Sequence, residues 1–374
     1  MEETWSNLQI DILLTVMQRL PYVDNLQMAT VCKHWYHASK LRSRKHIQSA
    51  EGRVAWLLPS EPGRSLIEGQ VINILSGKKY TMECPILFGT YPMASKQGWL
   101  LLDTSKFLPH YNRGGPPYSF CLLNPFTGEK IELPTTSMTS YVAAFTTVDG
   151  IPDCVAIANG DFNPSSRLQP LHPPFLLNLQ ILHLPDMKWE TYGCNPGAQF
   201  RRHTINLLMI GQKIYISDGR GVVWFDMATS TFSEVVDLIK DKKVKKMENH
   251  ILEKGGDVIR IFCPRSFLIR RNKRGNTTPR EARFYFYKLT VTENKTEWAE
   301  LNSAELEGTS WFLQHPLRSP SMVTKNCLKS KIYHLRQLGR AFQVDVYNLN
   351  TLDCTAELVS TTVVDGCHIW VDLG

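Results

Sequence analysis

The hydrophobic pattern divides the chain into a short helical segment and a long β-rich segment. From Trp5 to about Lys40, apolar residues recur at spacings of one, three and four, which is typical of amphipathic helices. After about residue 50 this periodicity almost vanishes, and short β-branched and aromatic runs alternate with Gly, Pro, Asn and Asp clusters. We therefore predict a helical domain over residues 1–45 and a β-rich domain over residues 50–374.

The helical segment is predicted to form two helices and a short third one. Pro21 ends the first helix because proline lacks an amide donor, and Asp24 caps the second, with Gln27 in capping-box spacing. The third helix is predicted to run through Tyr36 and Ala38. The apolar stripe of the first helix is Ile12, Leu13, Val16, Met17 and Leu20, and that of the second is Met28, Val31, Cys32 and Trp35.

Forty residues of helix form only a small core, and domains of this size usually need a disulfide bond, a bound metal or a partner protein for stability. Neither a disulfide pair nor a metal-binding motif is evident in the sequence. Pattern alone favours packing of these helices on the rest of the chain, and a partner protein is the alternative.

The β-rich segment contains a recurring unit, clearest at Gly211–Glu234: a strand, a glycine turn, a strand ending in an acidic residue, a threonine turn and an aromatic strand. Related turns centre near residues 124, 185, 226, 288 and 348, which are 61, 41, 62 and 60 residues apart. Propeller blades repeat at roughly 40 to 50 residues, so these intervals fit blades with long insertions. About six or seven blades would fit, and we expect Cys367–Val371 to pair with the first blade and close the ring.

Three motifs of the helical segment resemble an F-box: Trp5–Leu13, Leu20–Asp24 and Val31–Trp35, of which the last, V-C-x-x-W, is the most specific. Gln9 departs from the family pattern, which usually has proline there; Ser6 and Gln9 offer a substitute capping box. The resemblance implies docking to a Skp-type adaptor of a cullin-based ubiquitin ligase. The residues that it assigns to the adaptor-binding surface or the F-box core, without dividing them, are Leu8, Ile12, Leu13, Val16, Leu20, Val31, Cys32 and Trp35.

The β-rich segment resembles the kelch-like C-terminal domain of plant F-box proteins, the group carrying domain of unknown function 295. The resemblance rests on Asn124–Gly128 followed by Leu133-Pro134, and on the Ile332-Tyr333 and Val346–Leu349 unit. The kelch double glycine is missing from nearly every unit. The predicted fold is mainly β, with a small N-terminal α-helical F-box and a large β-propeller-like domain.

Composition and charge narrow the function classes. The 374 residues are 43% hydrophobic and 21% charged, which excludes a disordered chain, and no stretch approaches the roughly 18 apolar residues of a membrane span. The net charge of +7 is too diffuse for a dedicated nucleic-acid binder. The basic runs Lys240–Lys246 and Arg270–Arg274 lack interleaved aromatic residues. We expect them to be charged loops rather than nuclear-import signals or patches for an acidic partner.

The sequence contains few residues or motifs that indicate catalysis or metal binding. The nine cysteines are scattered and no secretory signal is evident, so we expect buried free thiols and a location in the cytoplasm or nucleus. The eleven histidines show no metal-ligand spacing apart from His34 and His37, which we expect to lie on a solvated helix face. No G-x-S-x-G, P-loop or H-E-x-x-H motif occurs, and we expect no catalytic residue, cofactor or metal.

These observations favour the substrate-recognition subunit of an SCF-type E3 ubiquitin ligase, with an unidentified target protein and no membrane partner. The alternatives are a non-catalytic regulator that does not bind the adaptor, and a propeller-type enzyme or carbohydrate binder. On the first hypothesis, Leu13→Asp should abolish adaptor binding while the β-rich domain stays folded, because it places an unpaired carboxylate in an apolar interface.

Overall fold

The computed structural model describes the greater part of both predicted domains. The described residues are 5, 8–20, 28, 31–41, 56–60, 68–73, 79–83, 90–105, 117–125, 127–138, 142–160, 177–194, 206–218, 221–237, 244, 247–264, 281–292, 295–314, 322–325, 330–338, 341–350, 355–365 and 367–371.

The N-terminal segment contains two described helices, α1 (Ile10–Arg19) and α2 (Lys33–Leu41). The predicted placement of Val31, Cys32 and Trp35 on one helix is wrong. The Val31 amide donates to the Met28 carbonyl three residues earlier, which closes a turn, and a new helical ladder starts where the Tyr36 amide donates to the Cys32 carbonyl. The β-branched Thr30-Val31 pair disfavours a continuous helix here. Trp35, Tyr36 and Ala38 consequently share α2.

The described strands form six sheets, of which the first three are four-stranded. The first consists, in spatial order, of β27 (Cys367–Val371), β1 (Trp56–Ser60), β2 (Glu68–Asn73) and β3 (Lys79–Glu83). The second consists of β4 (Tyr91–Lys96), β5 (Trp99–Asp103), β6 (Phe120–Leu123) and β7 (Lys130–Glu132). The third consists of β11 (Lys188–Cys194), β10 (Leu177–His183), β9 (Ile151–Gly160) and β8 (Val142–Val148).

The other three sheets carry additional strands or a short helix. The fourth consists of β12 (Asn206–Ile210), β13 (Lys213–Ser217), β14 (Gly221–Asp226) and β15 (Thr231–Phe232), with β16 (Val236–Asp237) also pairing with β14. The fifth consists of β17 (Met247–Lys254), β18 (Asp257–Pro264), β20 (Tyr285–Val291) and β21 (Thr296–Glu300), and is followed by the short helix α3 (Ser303–Leu306). The sixth consists of β19 (Glu281–Arg283), β26 (Thr355–Asp365), β25 (Ala341–Asn350), β24 (Lys331–Leu338), β22 (Thr309–Gln314) and β23 (Met322–Lys325).

The sheets are arranged in a closed ring. The inner strand β4 contacts β8, β8 contacts β12, β12 contacts β17, and β17 contacts β23. The sixth and first sheets meet where β22 contacts β27, and β27 contacts β4 to complete the circle. A closed ring of mostly antiparallel sheets is a β-propeller, and this confirms the predicted fold class. In the described part of the chain, no helix reaches the length and apolarity that a membrane span requires.

The ring is closed by the strand that the sequence predicted for this role. Strand β27 pairs antiparallel with β1, so that Ile369 lies opposite Leu58 and Trp370 opposite Leu57. The last strand therefore belongs to the same sheet as the first three. This pairing joins the two ends of the β-rich domain, which leaves no open gap between the first and last sheets.

From the second sheet to the sixth, apolar side chains of neighbouring sheets pack against each other. Between the fifth and sixth sheets, Phe286 packs against Trp311 with ring centroids 5.0 Å apart, and both are fully buried. Between the third and fourth sheets, Tyr192 packs against Phe225 at 4.5 Å. Such aromatic pairs contribute about 0.5–1.5 kcal/mol beyond their buried area. The propeller is therefore a rigid scaffold.

Candidate protein-interaction surface on the N-terminal helices

The N-terminal helices share a small apolar core. Leu13 and Met17 on α1 and Ala38 on α2 are fully buried, and Met28 is buried beside them. Leu13 and Met17 are four residues apart and so face the same side of α1. Three further side chains pack against this core and are partly buried: Leu8, Leu20 and Trp35. The helical segment therefore has a core of its own, as a separate folded unit requires.

Two long-range hydrogen bonds fix α2 to the segment that precedes α1. The Nε2 atom of His34 lies 2.7 Å from the Leu8 carbonyl oxygen, and the Trp35 Nε1 donates to the Trp5 carbonyl at 3.0 Å. The prediction of a solvated histidine face holds for His37, which is exposed, and is wrong for His34, which is half-buried. His34 instead directs its Nε2 atom to a backbone carbonyl.

The same unit exposes an unusual share of apolar surface. Six of the ten large hydrophobic side chains that are exposed in the described part of the chain lie between positions 5 and 36, and only four belong to the propeller. The six are Trp5, Ile10, Ile12, Val16, Val31 and Tyr36. Concentrated exposed apolar surface marks an interaction site, whereas scattered single residues do not. The N-terminal helices therefore retain apolar surface that their own core does not cover.

The structure divides the predicted site residues into core and surface. Leu13 is at the centre of the core, Leu8, Leu20 and Trp35 are at its edge, and Cys32 is half-buried. Ile12, Val16 and Val31 are exposed, with 46%, 38% and 60% of their surface accessible. Leu13 therefore belongs to the core of the helices, so Leu13→Asp would act on their fold rather than directly on a contact surface. The expected loss of adaptor binding in this variant stays a prediction. Of the predicted site residues, the three exposed aliphatic side chains are the ones directly accessible to a partner.

The start of α1 differs from the predicted capping box. Helix α1 begins at Ile10, so Gln9 is itself the N-cap, and its side chain makes no capping hydrogen bond. The Gln9 carbonyl accepts the first helical bond from the Leu13 amide at 3.0 Å. Gln9 cannot then act as the third helical residue of a box opened by Ser6, a residue that lies outside the described residues. Without the usual proline, the first turn of α1 is not preorganised, and the Gln9 side chain does not replace it with a capping hydrogen bond.

A buried guanidinium lies between the fourth and fifth sheets of the propeller. Arg260 on β18 is fully buried, and its Nη2 donates to the Asp218 carbonyl at 2.5 Å and to the Asn249 Oδ1 at 2.9 Å. The guanidinium also lies over the rings of Phe262 and Trp298, at 5.3 Å and 5.6 Å from their centroids. Burial lowers the pKa of Arg260 to about 9, and the charge of Asp218 partly offsets that effect. Arg260 therefore joins two sheets as a structural cation.

The structure also brings together four potential metal ligands that sequence spacing did not indicate: Glu248, His250, Cys263 and His334. Known metal-binding motifs have ligands only a few residues apart, whereas His334 lies 71 residues beyond Cys263 and on another sheet. The sequence contains one indication of this cluster, the two-residue spacing of Glu248 and His250, because residues two apart on a strand face the same side of the sheet.

The two basic runs lie outside the described residues, apart from Val244, which is buried. Their predicted role as charged loops remains a prediction. Of the cysteines whose burial the structure describes, Cys121, Cys154 and Cys263 are buried as predicted, Cys32 and Cys194 are half-buried, and none of the five forms a disulfide bond.

Comparisons with known proteins agree with this division of the chain. Residues 71–349 match the KIB1-4 β-propeller family, and residues 5–47 match the F-box domain. An F-box/kelch-repeat protein of Arabidopsis thaliana is 29% identical over 166 residues, 43% of this chain and 41% of the relative. Two further F-box proteins of that plant are 30% identical over 138 and 136 residues, which cover 35% and 36% of this chain and 31% and 32% of theirs. The matches therefore span less than half the length of these curated relatives.

Proposed function

We propose that this chain, which belongs to the KIB1-4 β-propeller family and carries an F-box over residues 5–47, is the substrate-recognition subunit of an SCF-type E3 ubiquitin ligase. The F-box binds a Skp-type adaptor, and the adaptor connects the chain to a cullin. The propeller binds a target protein, which the assembled ligase ubiquitinates for degradation. The resemblance to plant F-box proteins with a C-terminal propeller domain is confirmed by the family matches.

One observation carries the adaptor proposal: the F-box helices bury their own core and still expose Ile12, Val16 and Val31. Ile12 and Val16 are four residues apart on α1, so they lie on one side of that helix, next to the side that carries Leu13 and Met17. Transfer of the exposed parts of these side chains into an apolar groove contributes on the order of 1 kcal/mol each. Helix-in-groove recognition uses a few apolar anchors of this kind.

The propeller suits target recognition because a ring of sheets holds its connecting segments in place while their sequences vary. Six sheets, with buried apolar layers between the second and third, the third and fourth, and the fifth and sixth, provide such a scaffold. The identity of the target is set by the side chains on those segments. We propose a protein target, because a ligase of this class transfers ubiquitin to protein lysines.

The proposed contribution of the chain to ubiquitin transfer is proximity rather than bond chemistry. A target held on the propeller is kept near the ubiquitin-conjugating enzyme, which raises the effective concentration of its lysines. F-box substrate receptors are typically non-catalytic, and we propose the same for this chain. Because the Skp-type adaptor and cullin assemble inside the cell, the proposed location is the cytoplasm, the nucleus or both.

The direct test is complex formation by the full-length chain. The purified protein is mixed with a Skp-type adaptor and the N-terminal part of a cullin, and the mixture is separated by size exclusion. We expect all three proteins to elute together. If the chain elutes alone at micromolar concentrations of both partners, the adaptor proposal is wrong, and the regulator that lacks adaptor binding becomes the supported function.

A further inference from the structure

Glu248, His250, Cys263 and His334 meet between the fifth and sixth sheets. Glu248 and His250 are two residues apart on β17, the inner strand of the fifth sheet, so both face the same side. Cys263 lies directly opposite Glu248 across the antiparallel pair of β17 and β18, and therefore on that same side. His334 reaches them from β24 of the sixth sheet. Three strands of two sheets thus supply four ligand-type side chains to one place.

The ligand atoms lie at distances suited to one small cation. One potential ligand atom from each residue lies within 4.8 Å of the other three. The Cys263 Sγ is 3.3 Å from the His250 Nε2, and the Glu248 Oε1 is 3.9 Å from the same nitrogen. In a tetrahedral zinc site with bonds of about 2.0–2.3 Å, ligand atoms are roughly 3.3–3.7 Å apart. The 3.3 Å and 3.9 Å separations are already near this range, whereas ligand atoms as far as 4.8 Å apart would have to approach each other by about 1 Å on metal binding.

The arrangement differs from that of a catalytic triad. In a triad, the histidine contacts the nucleophile through one ring nitrogen and the carboxylate through the other. Here the Cys263 Sγ and the Glu248 Oε1 both approach the Nε2 atom of His250. Ligand atoms that converge on a common point are typical of a metal site, since each can direct a lone pair to the cation.

Burial and ligand chemistry indicate which cation would fit. His250, Cys263 and His334 are at most 1% exposed, and the Glu248 side chain is 17% exposed. Calcium and magnesium prefer oxygen ligands, whereas two imidazoles, a thiolate and a carboxylate suit zinc. A buried set of four ligands has no open position for a substrate, which is typical of a structural site.

A buried carboxylate on the sixth sheet lies on the same face as one of the four ligands. Asp345 on β25 lies directly opposite His334 across the β24–β25 pair and is fully buried. Its Oδ1 accepts a hydrogen bond from the Gln343 side chain at 2.5 Å. Residues opposite each other in an antiparallel pair share a face of the sheet.

We propose that Glu248, His250, Cys263 and His334 form a structural zinc site that joins the fifth and sixth sheets of the propeller. This site is separate from the F-box helices, and the proposal is independent of adaptor binding. Bound zinc stabilises the folded ring, because the unfolded chain does not hold the four ligands together.

The first test is the metal content of the full-length protein after expression with added zinc, measured by plasma mass spectrometry. We expect about one zinc per chain in the parent protein. Cys263→Ala and His334→Ala should lose it. The matched controls are Cys154→Ala, a buried cysteine on β9, and His183→Ala, a half-buried histidine on β10, and both should keep it. A parent protein with less than about a tenth of a zinc per chain overturns the proposal, as does zinc retained by Cys263→Ala and His334→Ala.

A second measurement does not depend on how the variants fold. The parent protein is treated with a chelator, its melting temperature is measured, and zinc is then restored. We expect chelation to lower the melting temperature by several degrees and zinc to restore it. Cobalt in place of zinc should show thiolate-to-metal charge-transfer absorbance, which only a bound cysteine produces. An unchanged melting temperature together with the absence of that band contradicts the site.

Discussion

The Nε2 atom of His34 lies 2.7 Å from the carbonyl oxygen of Leu8, a residue 26 positions earlier in the chain. The adjacent Trp35 donates in the same way to the Trp5 carbonyl. These two bonds hold the start of the F-box against its last helix. They keep Leu8 at the edge of the core formed by Leu13 and Met17, and so fix the orientation of the exposed side of α1.

His34→Ala should loosen the start of the F-box. The substitution removes a hydrogen bond to a partly buried carbonyl, which costs about 1 kcal/mol. We expect the amides of α1 to exchange hydrogen roughly fivefold faster, because a loss of about 1 kcal/mol favours local opening by that factor. Exchange followed by mass spectrometry measures this directly. His37→Ala removes an exposed histidine of the same helix and should have no effect; equal exchange in the two variants contradicts the structural role of His34.

Cysteine reactivity should follow burial. Burial raises the pKa of the Cys121 thiol to about 11 and that of Cys154 to about 12, so neither forms appreciable thiolate at pH 8. Cys32 and Cys194 are half-buried, and burial also raises the pKa of the Cys194 thiol. Among the five cysteines whose burial the structure describes, we expect Cys32 to be alkylated first and Cys154 last in a short pulse of iodoacetamide at pH 8, as read by peptide mass spectrometry. When the protein is unfolded in urea, this order of alkylation should disappear. Rapid labelling of Cys154 in the native protein would contradict the packing of the third sheet.

Arg260→Lys should destabilise the propeller although it keeps the charge. Lysine is shorter and cannot contact the Asp218 carbonyl and the Asn249 Oδ1 while lying over the Phe262 and Trp298 rings. A buried acceptor without a partner costs about 1–3 kcal/mol. We expect the urea midpoint to fall accordingly. Arg283→Lys, on an exposed position of β19, is the matched control, and equal midpoints for the two variants would show that Arg260 does not join the fourth and fifth sheets.

Closure of the ring should depend on the backbone of β27. Adjacent amides of a strand point to opposite sides, so one of the amides of residues 369 and 370 must face β1. Proline removes that donor, which costs on the order of 1–3 kcal/mol. We expect Ile369→Pro or Trp370→Pro to lower the melting temperature more than Ile369→Val and Trp370→Phe, which keep the backbone amide. Four variants with the parent's melting temperature would show that the ring does not need this pairing.

Much of the propeller was predictable because its strands have local signals. The predicted turn centres near residues 124, 185 and 226 lie at or beside the turn of the last hairpin of a sheet, as in the hairpin of β14 and β15. Those near residues 288 and 348 lie within strands β20 and β25 rather than at a turn. The closing strand β27 was also predicted, since its position at the end of the β-rich region suggested pairing with the first sheet. Alternation and turn chemistry are local properties, so sequence reasoning recovers them.

The sites were harder to predict because they depend on relationships between elements. The apolar stripe of α1 contains both Leu13, which is fully buried, and Val16, which is exposed, and periodicity does not separate them. His34 finds its partner 26 residues away. The cluster around His250 needs the pairing of β17 with β18 and the packing of the fifth sheet on the sixth. Apart from the two-residue spacing of Glu248 and His250, these contacts leave no repeat or spacing in the sequence.

The central claim is that the exposed aliphatic side of the F-box binds a Skp-type adaptor, and the most direct test is calorimetric titration of the full-length chain with that adaptor. Val16→Asp should weaken binding at least roughly 30-fold, because an unpaired carboxylate in an apolar groove costs about 2 kcal/mol or more. Thr15→Asp adds the same charge at the neighbouring exposed position of α1, where the hydroxyl contacts only the Asp11 carbonyl of its own helix, and should change affinity by less than about threefold. If Val16→Asp binds as tightly as Thr15→Asp, or if the parent shows no binding, the adaptor-binding account is wrong.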